Sequence, residues 1–370
     1  MRLNAVNPLC NETAVARSTG FESLVGVVLG FRFASPQALC CRLLRRLIAF
    51  VFLLLQLSII HAQDAQPSPA QLPKQLVKLT MIVTDKKQHS VDDVRQEEIQ
   101  LEEDRQAPAI VSFSKDLRPV NYALVVDTSG SFKALLPAVV EAAKTLVNGN
   151  QADDETFVET FVDSAKIEKL QDFTPDKTKL TKALEALYIR GGQSAVIDAV
   201  YLAIQHTAEQ KQGGASERRR AVVLFTDGED RSSYYGTDQL IKLLRENDVQ
   251  VFVVGIVKHL DEAGGLIRKS PRAKAELLLN KIAEESGGRV FYVEDIKELA
   301  NAIAEFQHDL HSQYLVGIEQ EIKPGEKGFR KLRFKVVSAP GHEKLIVSAR
   351  PGYFVNTQTA RRKTTEKESP

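Results

Sequence analysis

The sequence predicts an α/β fold, a doubly wound and mostly parallel sheet over residues 118–311, with a small β domain built from strands on either side of it. Three observations carry this. Tyr122–Val126 and Ala221–Phe225 are continuous apolar runs, and Val249–Val257 is nearly one, as strands covered on both faces require. Helical periodicity fills the gaps between them, and the alternation of strand and helix is regular enough to imply parallel crossovers. Outside these limits the pattern changes to short strands without helices.

In chain order, residues 1–62 read as a leader. They hold six Arg, no Lys and two Glu, and all three cysteines, Cys10, Cys40 and Cys41. An apolar run from Leu47 to Ile60 follows Arg42, Arg45 and Arg46 and ends beside the small residue Ala62, the layout of a secretory signal. The run is shorter than the roughly 20 residues of a spanning helix, so an uncleaved membrane anchor is the lesser reading. The stretch ahead of it is long for a basic n-region, which points to an over-extended start site. Cleavage after Ala62 leaves a cysteine-free chain suited to an oxidising compartment and unable to act as a thiol enzyme.

Residues 63–75, rich in Pro, Gln and Ala, form a linker. Strands are expected within 76–117, around Val77–Val83, Ile99–Leu101 and Ile110–Phe113. Within 118–311, helical faces are formed by Leu136 to Val147, Leu180 to Leu187, Val196 to Thr207, Leu240 to Leu244, and Leu278 to Glu285 ahead of Gly287 and Gly288. A sixth helix is capped by Asp295 and Glu298 and runs through Leu310. Strand patterning returns within 312–355, at Gln313–Glu321, Phe329–Val337 and Leu345–Ala349, before a polar tail at 356–370. The whole chain has 49 basic and 48 acidic residues, so it has no field to draw a polyanion, and nucleic acid is not an expected partner.

Ligands of open α/β sheets bind at the carboxyl ends of the strands. There the first strand delivers Asp127, Thr128, Ser129, Gly130 and Ser131, a DxSxS pattern, and a later one delivers Thr226, Asp227, Gly228, Glu229 and Asp230. Gly191, Gly192, Gln193 and Ser194 open the third helix between them. Each segment alone is an ordinary strand-to-helix turn or helix cap. Together they fall on one edge of the sheet.

On these residues the sequence resembles the von Willebrand factor A domain family. Asp127, Ser129 and Ser131 match the family's DxSxS motif, Asp227 its distal Asp, and Ser194 stands where the family usually has Thr. The resemblance implies a metal-ion-dependent adhesion site, with Ser129, Ser131 and Ser194 as hydroxyl ligands and Asp127 and Asp227 holding coordinating waters. It further implies a non-enzymatic binding module. The flanks, from Val77 to Phe113 and from Ser312 through Tyr353, look like the bacterial secreted subfamily called acidobacterial von Willebrand factor A related proteins.

A site of hydroxyl, carboxylate and water oxygens suits a hard divalent cation, Mg²⁺ first and then Mn²⁺ or Ca²⁺. Neutral hydroxyls leave the ion short of negative charge, so a carboxylate from a protein or surface-polymer partner completes it. The expected rim of such a contact is Phe132, Lys133, Gln193, Arg231, Tyr234 and Tyr235. The expected setting is outside the cell or in the envelope, with membrane contact only through an uncleaved leader. The alternatives are a metal-dependent hydrolase or phosphotransferase, or a purely structural envelope protein. Against an enzyme, the chain has no GxSxG elbow, no phosphate-binding GxxxxGK[ST] loop and no HExxH, and Ser129 stands where a phosphotransferase would need a second acid. His308 and His311 read as a solvated helix face, Arg218–Arg220 as a solvated strand entry, and Lys258–Arg272 as a long loop.

Overall fold

The computed structural model describes residues 74–210, 217–260, 269–323, 325–337 and 345–356. The leader, with its run from Leu47 to Ile60, and the tail beyond Asn356 lie outside the described residues. Among the described residues no helix is long and apolar enough to cross a membrane.

The central sheet has six strands in the order β6-β5-β4-β7-β8-β9. These are β4 (Val120–Asp127), β5 (Glu155–Phe161), β6 (Ile167–Thr174), β7 (Arg219–Thr226), β8 (Gln250–Gly255) and β9 (Val290–Tyr292). All pair in parallel except the edge strand β6. Alternation explains the apolar runs. Tyr122, Leu124 and Val126 of β4 face one helical layer, made by α1 (Leu136–Asn148), α2 (Lys177–Glu185) and α6 (Leu299–His311). Ala123 and Val125 face the other, made by α3 (Val196–Glu209), α4 (Thr237–Glu246) and α5 (Pro271–Ser286). Each side chain of the strand therefore leaves water, whichever way it points.

The flanking strands form two antiparallel sheets over a third apolar cluster that includes Leu79, Met81, Leu101, Val316 and Leu332. One has the order β12-β1-β10-β3, from β12 (Ile346–Ala349), β1 (Lys74–Thr84), β10 (Tyr314–Glu321) and β3 (Ile110–Lys115). The other has the order β13-β11-β2, from β13 (Gly352–Asn356), β11 (Lys327–Val336) and β2 (Ile99–Glu103). Among the described residues, β1 pairs with β10 and β12, β2 with β11, and β3 with β10. Every N-terminal strand thus takes its partners from beyond residue 311. Deleting residues 312–370 should therefore abolish slow amide exchange in most of Lys74–Thr84 and Ile99–Glu103, because among the described residues only the local bridges Thr84 to Ser90 and Glu103 to Gln106 remain. Protection that persists in the truncated chain would contradict this dependence.

Two basic residues, Arg219 and His311, differ from the sequence expectation. Arg219 is buried, since side chains alternate along β7 and place it inward between Arg218 and Arg220. Its Nε donates to the Arg118 carbonyl at 3.2 Å, and it lies beside Asp116. His308 is exposed, as a solvated helix face requires, and meets Asp92, whereas His311 is half-buried and bonds Asp154, whose carboxylate accepts the Val120 amide.

Glu159 of β5 is buried, and its Oε1 has no hydrogen-bond partner. Burial pushes its pKa up to about 8, with Lys169 opposing. Between the ordinary glutamate pKa and about 8 the folded chain holds a proton that the unfolded chain releases, so stability falls as pH rises through this window. The slope from this one group is at most about 1.4 kcal/mol per pH unit. Glu159→Gln has no such proton to lose. Its urea midpoint should match wild type near pH 4 and pull ahead steadily up to pH 8; an advantage independent of pH would show that Glu159 is not protonated in the fold.

Candidate metal centre

Strand β4 ends at Asp127, and the chain then bends into a short 3-10 turn, Gly130–Ala134, before α1. Strand β7 ends one residue short of Asp227. Parallel registration of β4 and β7, with Val126 opposite Phe225, brings these two ends side by side. Ser194 reaches the same edge from the loop ahead of α3. That loop is fixed by the Arg190 amide on the Thr128 carbonyl at 3.1 Å and the Ala195 amide on the Val162 carbonyl at 2.7 Å. The glycine pair is required here: Gly192 has φ +105°, and a Cβ on it would stand 2.7 Å from Val162 Cγ1.

Asp127 is fully buried. Its carboxylate accepts from the Ser129 amide at 2.9 Å, from Thr226 Oγ1 at 2.8 Å and from Ser194 Oγ at 3.2 Å. Ser129 and Ser131 bring their hydroxyl oxygens within 3.1 Å of each other. Burial first, and the neighbouring charge of Asp227 second, push Asp127 up to about 6. Asp227 is also fully buried, but hydrogen bonds from His259, Ser131 and the Glu229 amide outweigh its desolvation and hold its pKa below the usual carboxylate range.

These residues fit a bound cation. No Lys or Arg pairs with Asp127 among the described residues, and an unpaired buried carboxylate is among the costliest groups a fold can hold. The serine and threonine protons are directed at the two carboxylates, which leaves hydroxyl lone pairs for an ion. The oxygens gathered here are the hydroxyls of Ser129, Ser131, Ser194 and Thr226 and the carboxylates of Asp127 and Asp227. Such a donor set favours hard cations.

A family model of the von Willebrand factor type A domain matches residues 121–305, half of the chain. The chain belongs to the von Willebrand factor type A domain family. No curated protein matches it. Among solved structures, this VWA chain is similar to an aerotolerance-related membrane protein from Bacteroides fragilis, at 22% identity and TM-score 0.40, over 51% of this chain and 98% of that one. It is similar to a von Willebrand factor type A protein from Catenulispora acidiphila, at 12% identity and TM-score 0.42, over 76% and 74% of the two chains. A third is proximal thread matrix protein 1 from the mussel byssus, solved with a zinc-occupied metal-ion-dependent adhesion site, at 18% identity and TM-score 0.42, over 57% and 50%.

The rim of the VWA site differs from expectation at Phe132, which is fully buried in the core. The 3-10 turn rotates its ring inward beneath the site, so it offers nothing to a partner. Lys133, Gln193 and Arg231 are exposed, and Tyr234 is 83% exposed. Tyr235 is half-covered, stacked on Tyr201 with ring centroids 3.8 Å apart.

Several residues that hold this rim carry no motif. Buried Asp198, in the first turn of α3, accepts the Tyr234 amide at 2.7 Å and the Tyr235 amide at 2.8 Å. Asp230 accepts the Ile197 amide at 3.1 Å and the Ser233 hydroxyl at 2.5 Å. Arg231 and Ser232 donate their amides to the Ser194 carbonyl. The loop after β7 is thereby tied to the start of α3, so the loop bearing the tyrosines and the loop bearing Ser194 are one structural unit. His259, within the segment read as a long loop, reaches Asp227 Oδ2 at 3.2 Å, and this hydrogen bond raises the imidazole pKa. That segment gives way to α5 at Pro271, so Arg272 is helical; residues 261–268 lie outside the described residues.

Proposed function

We propose that this VWA domain is a metal-ion-dependent binding module that grips an acidic group on an extracellular or envelope partner. In this reading Ser129, Ser131 and Ser194 ligate Mg²⁺, or Mn²⁺ or Ca²⁺ in its place, and Asp127 and Asp227 hold its waters. The observation that carries the reading is Asp127, a buried carboxylate among hydroxyls and without a cationic partner, at the open edge of the sheet. A cation neutralises it, and hydroxyl ligands leave that cation able to accept one more anionic oxygen. The exposed residues around it, Lys133, Gln193, Arg231 and Tyr234, would set which partner is accepted. The leader would export the chain, in keeping with the secreted subfamily its flanks resemble.

A hydrolase reading finds little support in the arrangement. Ser131 bonds Asp227, and His259 bonds the same carboxylate, so the imidazole does not stand between acid and hydroxyl as a nucleophile's base must. Immobilised wild-type protein should retain its partner from envelope and secreted fractions in Mg²⁺ and release it in chelator, and Ser129→Ala should weaken retention at least tenfold. Retention that ignores both chelator and substitution would refute the proposal, as would turnover of a phosphoester library that disappears in Asp127→Ala.

A further inference from the structure

A groove of about 750 Å³ opens beside the metal centre, running from the loop after Asp227 onto the outer face of α5. Its apolar lining includes Ile197, Leu278 and Leu277, the last 54% exposed. Lys274 and Lys281 flank the leucines on α5, and spacings of three, four and seven residues place all four on one helical face. Neither lysine has an acidic partner among the described residues. Of the helix's own carboxylates, Glu276 is engaged by Arg272 at 2.8 Å and Glu285 by Arg245 at 2.7 Å. On the opposite wall Arg231 is neutralised by Glu229, and Asp230 is turned into hydrogen bonds with Ile197 and Ser233. The charged lining, Lys274, Lys281 and Arg231 against Glu229 and Asp230, is thus net positive, and its positive end is the two lysines on α5.

We infer that this groove seats the residues that follow the metal-binding acid of a protein partner: an extended segment in which an Asp or Glu on the metal is followed by an apolar side chain and a second carboxylate. The assignment rests on the metal-dependent reading above and names the partner's chemistry. Gly228 and Glu229 line the groove and directly follow Asp227 in the chain, so one end of the groove adjoins the loop that carries a metal-centre carboxylate. Lys274 and Lys281 are separated by seven residues, or roughly 10 Å along the helix, about the span of three extended residues. An apolar side chain laid between them covers Leu277 and Leu278, and an acid beyond it meets a lysine. Exposed apolar surface ringed by unpaired like charge is what a complementary segment of this kind would bury.

The test uses the full chain and an array of synthetic peptides, each with one fixed Asp followed by three positions drawn from Leu, Ser, Glu and Lys, probed in Mg²⁺. Wild type should retain peptides carrying Leu and then Glu at least tenfold better than those carrying Ser and then Lys. Lys274→Glu with Lys281→Glu should reverse the charge preference while binding still needs metal, and Leu277→Ser should remove the preference for Leu. No flank preference in wild type, or the same preference in these variants, overturns the groove assignment and leaves the metal centre standing. Peptide retention undiminished in chelator and in Asp127→Asn defeats the metal reading beneath it. Self-association of the chain that disappears in the double lysine variant also overturns the assignment, because the occupant is then a second copy.

Discussion

Asp127→Asn should be more stable than wild type in chelator and less stable in saturating Mg²⁺. Without metal, wild type at pH 7.5 holds a buried carboxylate whose pKa has been pushed from 3.8 to about 6, a burden of about 3 kcal/mol by the usual conversion. Asparagine keeps the shape and the acceptor for the Ser129 amide, and the hydroxyls of Ser194 and Thr226 can rotate to accept from its amide group. The variant sheds the charge at little cost in contacts. With metal the order reverses. Binding at a hundredfold excess over Kd stabilises wild type by about 2.7 kcal/mol, and the variant, lacking the charge, gains little. Thermal melts of both proteins with and without Mg²⁺ read this crossing, and an equal metal shift in the two would remove Asp127 from the site.

Asp309→Ala should destabilise the fold by about 3–5 kcal/mol. Asp309, near the end of α6, is buried against Arg289, which directly precedes β9, and it also accepts from Ser90. Arg289 reaches on to Gln88, whose carbonyl takes Nη2 at 2.7 Å and whose side-chain oxygen takes it at 3.0 Å. The group thus joins the last helix of the VWA domain to the loop that follows β1 in the flanking sheet. Removing the carboxylate leaves a guanidinium with 4% side-chain exposure and no counter-charge. The double change Arg289→Met with Asp309→Leu removes both charges and should recover most of the loss. Urea unfolding checks both, and a cost below about 1 kcal/mol for Asp309→Ala would show that water reaches the pair.

The apolar centres of β4 and β7 are the segments most legible in sequence. Tyr122–Val126 and Ala221–Phe225 announce two covered faces because their side chains are apolar but for the Tyr122 hydroxyl, which donates to Asn150 Oδ1. Strands β5 and β6 did not stand out. Burial of β5 includes Glu159 and two threonines, and β6, an edge strand with one open face, carries Glu168, Lys169, Gln171 and Asp172. The apolar stretch of β13 is too short for periodicity to identify it. At the site, the proposed ligands are legible because their spacing repeats a family motif. Their supports were not, since Thr226, Asp198 and His259 act through hydrogen bonds that only the folded loops create. Phe132 shows the same limit from the other side. Its neighbours Ser131 and Lys133 stay near the surface while the 3-10 turn sends its own ring into the core, and composition does not record the direction of a turn.

The central claim, that hydroxyl and carboxylate groups from three loops create one cation site, is tested most directly by anomalous diffraction from crystals soaked in Mn²⁺. One strong peak is expected in direct coordination range of Ser129 Oγ and Ser131 Oγ, absent in Asp127→Ala crystals of the same form. A peak elsewhere, or none among these residues in wild type, would contradict it.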